Sequence, residues 1–244
     1  MTSINFHGRS IKAVAFDMDG TMIDCEPSNR AAVQRAAGSP YIIDWNQCAG
    51  KPESVIHTWL RDTYPNFTGL KNAFVDACKA GYKEELPHLK ARAGIKELMA
   101  SFHQLGIPMI VVTNTETPLA LKKLKQCGLL DYVTDVIGVD KVIEANLEPK
   151  PSGDGYRLAA QTLGVDEENM AGFEDSAVGV SALTSTRLLS VHIYDHGMLP
   201  DTRADIVING TTRRGLDEMT ADIYLQNPDL MEELPPEPRC TAYA

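Results

Sequence analysis

The stretch IKAVAFDMDGTMID, residues 11–24, decides how the rest of the chain is interpreted. Its first six residues, 11–16, are apolar almost without interruption, which is typical of a strand buried on both faces of a parallel sheet. Two carboxylates, Asp17 and Asp19, follow directly, and a Gly-Thr turn then leads to a third acid, Asp24. The pattern therefore predicts a buried strand whose carboxyl end carries acidic groups.

The composition is that of an acidic globular protein. The chain has 244 residues, 43% of them hydrophobic, which is enough apolar material for a substantial core. Its formal charge of −10, from 33 acidic and 23 basic residues, disfavours a broad surface for nucleic acid. No apolar run reaches the roughly 20 residues that span a bilayer, and the N-terminus lacks the apolar segment of a secretory signal. The five cysteines are scattered, which favours reduced thiols. We therefore expect a cytoplasmic protein, a monomer or weak dimer, with no nucleic-acid or membrane partner.

The segment that follows the first strand has a different pattern. Residues 25–94 show helical periodicity, with no convincing strand, and breakers such as Gly38-Ser39-Pro40 separate the helical runs. We interpret this segment as a helical insert. The core would then consist of residues 1–24 and 95–244, with a disordered tail from about residue 233.

From residue 95 onward, predicted strands alternate with predicted helices. The strands are residues 107–114, 135–139, 170–175, 188–194 and 204–208. Such alternation implies right-handed crossovers and a parallel sheet covered by helices on both faces. The predicted fold is therefore α/β, a Rossmann-like doubly wound parallel sheet with a small α-helical domain inserted after the first strand.

Polar residues recur where the predicted strands end, and ligands of doubly wound sheets bind at that edge. Thr113 and Asn114 end one strand, Glu174 and Asp175 end another, and Lys150 stands between two prolines that stiffen its backbone. Taken singly, each has a plain structural explanation, such as a strand-to-turn cap, a helix-start acid cluster or a surface lysine. Together, they indicate one site at one crevice.

The acids that end the first strand indicate what such a site would bind. Asp17 and Asp19, two residues apart, repel each other unless a cation compensates, although a solvated acidic turn explains the pair equally well when it is taken alone. Mg²⁺ suits the pair because it takes oxygen ligands and usually binds through one or two carboxylates together with phosphate and water. With the polar groups at the later strand ends, the sequence predicts a site for Mg²⁺ and a phosphate ester.

Four segments occur in an order that resembles a known family: FDMDGTMID, VVTN, KPSGDGY and GFEDSAVG. They are similar to the four motifs of the haloacid dehalogenase-like hydrolase superfamily, and the similarity extends over about residues 11–208. The insert between the first and second motifs looks like the small helical cap of that family, so residues 25–94 are called the cap below. The Glu-Asp pair of the fourth motif is similar to the β-phosphoglucomutase and small sugar-phosphate phosphatase branch.

The resemblance implies catalytic roles for motif residues. Asp17 would be the nucleophile that forms an aspartyl-phosphate. Asp19 would be the general acid for the leaving alcohol and then the base for water. Thr113 and Asn114 would hold the transferring phosphoryl group, and Lys150 would balance its charge.

The resemblance also implies a Mg²⁺ site. Its ligands would be Asp17, the backbone carbonyl of Asp19, and Asp175, with Glu174 as a further ligand or as an acceptor for the groups around the metal. Asp24 would belong to the mobile flap where the chain enters the cap.

Departures from the family pattern bear on the reaction. Asp19 argues against true dehalogenation, since those relatives lack an acid there and need no Mg²⁺. The β-phosphoglucomutases carry a His where this chain has Asn29 and an Arg where it has Glu53, and Thr21 suits the phosphatases. These positions favour a phosphatase over a mutase.

The expected function is that of a Mg²⁺-dependent phosphatase acting on a small phosphorylated metabolite, a sugar, polyol or glycolate phosphate. Asn29 and Lys51 are candidate substrate-binding residues of the cap. The alternatives are a phosphomutase of the β-phosphoglucomutase type and a non-catalytic binding or regulatory protein on the same fold. The last is disfavoured because no motif residue is missing.

Overall fold

The computed structural model of the protein describes residues 2–48, 51, 53–194, 199–210 and 213–228. The predicted disordered tail from about residue 233 lies outside the described residues. The strands within these ranges are β1 Ile4–Phe6, β2 Arg9–Ile11, β3 Ala13–Phe16, β4 Ile23–Asp24, β5 Lys90–Ala91, β6 Met109–Val112, β7 Asp135–Ile137, β8 Met170–Glu174, β9 Leu189–Tyr194 and β10 Ile206–Asn209. The α-helices within the same ranges are α1 Glu26–Ala37, α2 Trp45–Cys48, α3 Glu53–Thr63, α4 Lys71–Glu85, α5 Ile95–Gln104, α6 Thr117–Gln126, α7 Val139–Glu144, α8 Asp154–Leu163, α9 Ala177–Thr184 and α10 Arg213–Gln226.

Six strands form one parallel sheet in the order β10-β9-β8-β3-β6-β7. The chain runs outward from β3 through β6 and β7, then returns to β8 on the other side of β3. Strand β3 therefore lies where the strand order reverses, and ligands of doubly wound sheets bind at the carboxyl ends of the strands at that point. The predicted α/β class and parallel sheet are confirmed.

Both faces of β3 are buried, as its continuous apolar sequence predicts. Val14 and Phe16 belong to one apolar cluster, whereas Ala13 and Ala15 belong to a second cluster. Successive side chains of a strand point to opposite faces, so the two clusters cover the two sides of the sheet. The ring of Phe16 stacks on that of Phe173 in the neighbouring strand, with centroids 4.7 Å apart.

The N-terminus contains a hairpin that the sequence analysis did not predict. Strands β1 and β2 are antiparallel, and Ile11, assigned above to the first core strand, belongs to β2. The turn between them is formed by His7 and Gly8, both with positive φ angles of 47° and 78°. Two such residues make the tight turn that suits a two-residue hairpin. Core strand β3 consequently begins at Ala13, two residues later than predicted.

The cap segment contains helices α1 to α4, which pack around an apolar cluster of their own. Phe74 and Cys78 of α4 and Val33 of α1 are buried in this cluster. Strands β4 and β5 pair antiparallel where the chain enters and leaves the segment, with Ile23 opposite Ala91. The prediction that residues 25–94 contain no strand was therefore wrong for β5, which is too short to give a periodic signal. The division into a core and a cap at residues 25–94 stays a prediction.

None of the helices in the described ranges has the combination of length and apolar character needed to cross a membrane.

Candidate active site

The carboxyl ends of β3, β6 and β8 bring polar side chains together around one lysine. The Nζ of Lys150 donates to Asp17 Oδ1 at 2.6 Å and to Glu174 Oε1 at 2.5 Å. It also donates to the backbone carbonyl of Val112, the last residue of β6, at 2.8 Å. One buried ammonium therefore joins the three central strands of the sheet.

Three carboxylates cluster at this edge, and two of them bind the Lys150 ammonium. Oxygens of Asp17, Glu174 and Asp175 all lie within 4.8 Å of one another, and Asp17 and Glu174 are buried. Thr21, in the turn after the first two acids, donates its hydroxyl to Asp175 Oδ1 at 3.0 Å. When every group is ionised, the cluster has two more negative charges than positive ones.

This excess of negative charge is reflected in the pKa values. Burial, together with the charges of Glu174 and Asp175, raises the pKa of Asp17 well above its usual value, although Lys150 opposes the shift. Burial and Glu174 raise the pKa of Asp175 to about 7. Burial lowers the pKa of the Lys150 ammonium, but Asp17 and Glu174 outweigh it, so the net shift is upward. The site is thus short of positive charge.

The donor set fits a hard divalent cation. All three acids offer oxygen, the ligand type that Mg²⁺ takes, and two uncompensated charges are what one divalent ion would balance. The fit rests on Asp17, Glu174 and Asp175, three of the four residues predicted as metal ligands. The side chain of the fourth, Asp19, is not part of this cluster.

The side chain of Asp19 is bound by a separate set of donors. Lys123 Nζ donates to Oδ1 and Thr115 Oγ1 donates to Oδ2, each at 2.7 Å, and the thiol of Cys25 donates to Oδ1 at 3.1 Å. Burial opposes ionisation of Asp19. The positive charge of Lys123 and the hydrogen bonds from Lys123, Thr115 and Cys25 outweigh this effect, so the pKa of Asp19 is lowered. Asp17 and Asp19 therefore stand in opposite electrostatic environments two residues apart.

Thr113 and Asn114 lie at the same edge, directly after β6. Thr113 is buried, and its hydroxyl accepts the backbone N–H of Thr115 at 3.1 Å. Asn114 Nδ2 donates to the backbone carbonyl of Lys150 at 3.3 Å. The structure thus brings Thr113 and Asn114, which the strand-end argument assigns to this edge, together with Lys150.

The predicted cap residues are not joined to this cluster by any described contact. Asn29 is partly exposed in the first turns of α1, and Lys51 is exposed just before α3. Glu53, which marks a departure from the mutase pattern, accepts a hydrogen bond from Tyr82, a residue packed against the cap's apolar cluster. Asp24 lies in β4 and pairs with Lys90 of β5, at the entrance to the cap.

Two glycines provide the space that the acids occupy. A Cβ at Gly20 would lie 2.1 Å from Asp175 Oδ2, and Gly20 has a φ of +97°, which favours glycine. A Cβ at Gly179 would lie 1.8 Å from the carboxyl group of Glu174. Both glycines fall inside the first and fourth motifs quoted above, where they permit the acids to pack against backbone.

Sequence reasoning missed several polar residues of the site. The buried Tyr156 donates its hydroxyl to Glu174 Oε1 at 2.7 Å, and Lys150 Nζ lies 5.2 Å from the centre of its ring. His192 Nε2 donates to the backbone carbonyl of Asp175 at 3.0 Å, because its Nδ1 accepts from a backbone N–H. Only Tyr156 had a signal, since it lies inside a motif.

The comparisons with known proteins agree with the geometry. The family model of the haloacid dehalogenase-like hydrolases matches residues 11–185. A phosphoglycolate phosphatase from Neisseria gonorrhoeae is 30% identical over 197 residues, which cover 75% of this chain and 80% of that one. A phosphorylated carbohydrates phosphatase from Thermotoga maritima is 28% identical, covering 77% of this chain and 87% of that one.

Solved structures share the fold. A HAD family hydrolase from Deinococcus radiodurans with bound phosphate and sodium superposes with a TM-score of 0.73 at 22% identity, over 88% of this chain and 97% of that one. A Thermotoga maritima protein described provisionally as a β-phosphoglucomutase gives a TM-score of 0.70 at 25% identity, over 86% and 99%. The family match spans more than half of the sequence and carries the motif residues gathered at the sheet edge. This chain belongs to the haloacid dehalogenase-like hydrolases.

Proposed function

We propose that this hydrolase is a Mg²⁺-dependent phosphatase that cleaves a small phosphate monoester through an aspartyl-phosphate at Asp17. The observation that carries the proposal is the position of Asp17 at the carboxyl end of the central strand, where its carboxylate pairs with Lys150 and lies within 4.8 Å of two further acids. Phosphoryl transfer depends on in-line positioning and charge compensation, and this cluster offers groups for both.

The first half of the reaction transfers the phosphoryl group to the enzyme. A carboxylate oxygen of Asp17 attacks phosphorus and the bond from phosphorus to the ester oxygen breaks. Asp19 gives a proton to the departing alcohol, a role that requires its pKa, which is lowered in the free protein, to rise when the ester binds. In the second half, Asp19, now a carboxylate, accepts a proton from water as the water attacks phosphorus. The acyl-phosphate bond breaks, which releases phosphate and restores Asp17.

The remaining residues bind and compensate charge. Thr113 and Asn114, at the end of β6, would donate to phosphoryl oxygens, and the Lys150 ammonium would offset their charge. Mg²⁺, held by Asp17, Asp175, the carbonyl of Asp19 and Glu174, would supply the positive charge that this cluster lacks.

The substrate class is proposed from the relatives. Those named above are phosphatases of phosphoglycolate and of phosphorylated carbohydrates, which supports a glycolate, sugar or polyol phosphate. In this proposal the cap of residues 25–94 covers the ester, and Asn29 and Lys51 contact its alcohol part. Glu53, which is hydrogen-bonded to Tyr82, stands where the β-phosphoglucomutases carry an Arg. It offers no positive charge for the second phosphate of a sugar bisphosphate, which supports a phosphatase over a mutase.

The test is phosphate release from a panel of esters that includes 2-phosphoglycolate, a polyol phosphate and hexose phosphates, with MgCl₂ and with EDTA. We expect release from at least one ester with MgCl₂ and none with EDTA. Asp17→Asn should abolish release, while Asp131→Asn, at an exposed position, serves as the matched control. Equal release by wild type and Asp17→Asn would refute the nucleophile assignment.

The same panel decides between the alternatives. Interconversion of hexose phosphates without net phosphate release would indicate a mutase. No reaction with any ester, together with retained binding of one of them, would indicate a binding protein. The expectations of a cytoplasmic location and of a monomer or weak dimer stay predictions, and size-exclusion chromatography tests the second.

A further inference from the structure

Both carboxylate oxygens of Asp19 are bound by donors from three separate parts of the chain. Lys123 comes from the second half of α6, Thr115 from the loop after β6, and Cys25 from the residue before the first cap helix. Lys123 and Cys25 share Oδ1, while Thr115 has Oδ2 to itself. The orientation of this carboxylate is therefore imposed from outside its own loop.

Of these three donors, Lys123 holds Asp19 most strongly. Its ammonium forms a charge-assisted hydrogen bond at 2.7 Å, whereas a hydroxyl is a neutral donor and a thiol a weak one. The Lys123 side chain is 18% exposed and that of Asp19 29%, so solvent screens the pair only in part. Among the described residues, Asp19 is the one hydrogen-bonding partner of the Lys123 ammonium.

We propose that Lys123 is a positioning residue for the reaction, holding the Asp19 carboxylate in the orientation from which it exchanges protons with the leaving alcohol and with water. This inference rests on the proposed function, in which Asp19 is the acid and base. Each of the two lysines then serves one catalytic acid, since Lys150 contacts Asp17 and Lys123 contacts Asp19. Without Lys123, the carboxylate would keep only its two weaker donors.

Comparing two leaving groups distinguishes a positioning role for Lys123 from a purely structural one. Loss of a purely structural ion pair would affect both substrates alike. An alkyl ester such as 2-phosphoglycolate needs a proton on the departing oxygen, whereas p-nitrophenolate leaves without one. Positioning of Asp19 therefore matters for phosphoryl transfer from the alkyl ester and not for the initial release of p-nitrophenolate. It matters for the later hydrolysis step with both substrates, because water must lose a proton there.

The experiment compares Lys123→Met and Lys123→Arg with Lys122→Met, which removes the same charge from an exposed neighbour on α6. In MgCl₂, we expect Lys123→Met to lower kcat for 2-phosphoglycolate about 10–100-fold with KM unchanged, since general acid–base catalysis is worth at least that much. The rate of the initial burst of p-nitrophenolate should equal that of wild type. Lys123→Arg should restore most of kcat, and Lys122→Met should match wild type.

Three results would overturn the inference. The first is a Lys123→Met variant with wild-type kcat for the alkyl ester. The second is an equal loss in the p-nitrophenolate burst, which would indicate general disruption of the site. The third is a rise in KM for 2-phosphoglycolate but not for ethyl phosphate, which has no carboxylate; this would make Lys123 a ligand for the substrate's carboxylate. Absence of any turnover by wild type would instead refute the proposed function, and this inference with it.

Discussion

Lys150 and Asp17 form a buried ion pair in which Nζ lies 2.6 Å from Oδ1 and the lysine side chain is 6% exposed. The same ammonium lies 2.5 Å from Glu174, so a single cation serves two acids on neighbouring strands. An ion pair this deeply buried contributes little net stability, but loss of one partner leaves an uncompensated charge inside the protein. Lys150 is therefore required for the fold around the site as well as for the proposed chemistry.

Replacing Lys150 by Met should both destabilise the protein and abolish phosphate release. The methionine fills most of the volume but leaves the carboxylates of Asp17 and Glu174 without their cation, which costs about 3–5 kcal/mol for a broken buried pair. Urea unfolding of the variant in EDTA measures the loss. Lys125→Met, an exposed lysine of α6, is the control. An unchanged unfolding free energy would show that the pair is not formed in solution.

The stabilisation that Mg²⁺ confers should increase with pH. Burial and Glu174 raise the pKa of Asp175 to about 7 from 3.8, so the folded chain binds this proton more tightly than the unfolded chain does. Between those two values, the metal-free protein therefore loses stability as pH rises, because the unfolded state is already ionised. Mg²⁺ replaces protons on its ligands, so its benefit is greatest where the acids are ionised.

The measurement is the increase in Tm on adding MgCl₂, compared with EDTA, at about pH 5 and about pH 8. We expect a larger increase at the higher pH. Asp175→Asn should reduce this difference between the two pH values, since it removes one titrating ligand. An increase in Tm that does not vary with pH would contradict the assignment of the acids as metal ligands.

Some residues of this site could be predicted from the sequence because the fold determines their position. Asp17, Thr113, Asn114 and Glu174 were located because parallel strands end at one edge of the sheet, which is a property of the fold. Lys150 was singled out by its two flanking prolines. Each of these positions follows from local pattern and topology alone.

Lys123 could not be found in this way. It is one of three lysines in α6, and only the rotation of that helix against the loop after β3 decides which of them reaches Asp19. The β1–β2 hairpin and the β4–β5 pair were missed for a different reason. Their strands are two or three residues long, which is too short for alternation to be seen, and β4 pairs with a strand more than 60 residues away in the sequence.

Tyr156→Phe should weaken the site while keeping its packing. The buried hydroxyl of Tyr156 donates to Glu174 Oε1 at 2.7 Å, and Phe retains the ring that lies beside Lys150. Loss of the donor leaves a buried carboxylate oxygen with fewer partners, which costs about 1–3 kcal/mol. Thermal unfolding and the Mg²⁺ concentration for half-maximal activity would measure the effect.

Tyr132→Phe is the control, at a partly buried ring outside the acid cluster. Unchanged stability and Mg²⁺ dependence would show that Glu174 does not depend on this hydroxyl.

Gly179→Ala should impair the site although it improves a helix. Alanine in a helix interior is normally favoured over glycine by about 0.5–1 kcal/mol. Here, however, the new methyl group would lie 1.8 Å from the carboxyl group of Glu174, which Lys150 and Tyr156 hold in place. Either that carboxyl group or the start of α9 must move, at a cost of about 1–3 kcal/mol for overpacking. We expect a lower Tm and a higher Mg²⁺ requirement for phosphate release.

The exposed Val178→Ala, in the same helix turn, also raises helix propensity but meets no acid, so it should leave both quantities near wild type. A Gly179→Ala protein that is more stable than wild type and equally active would mean that Glu174 is not packed against α9 as described.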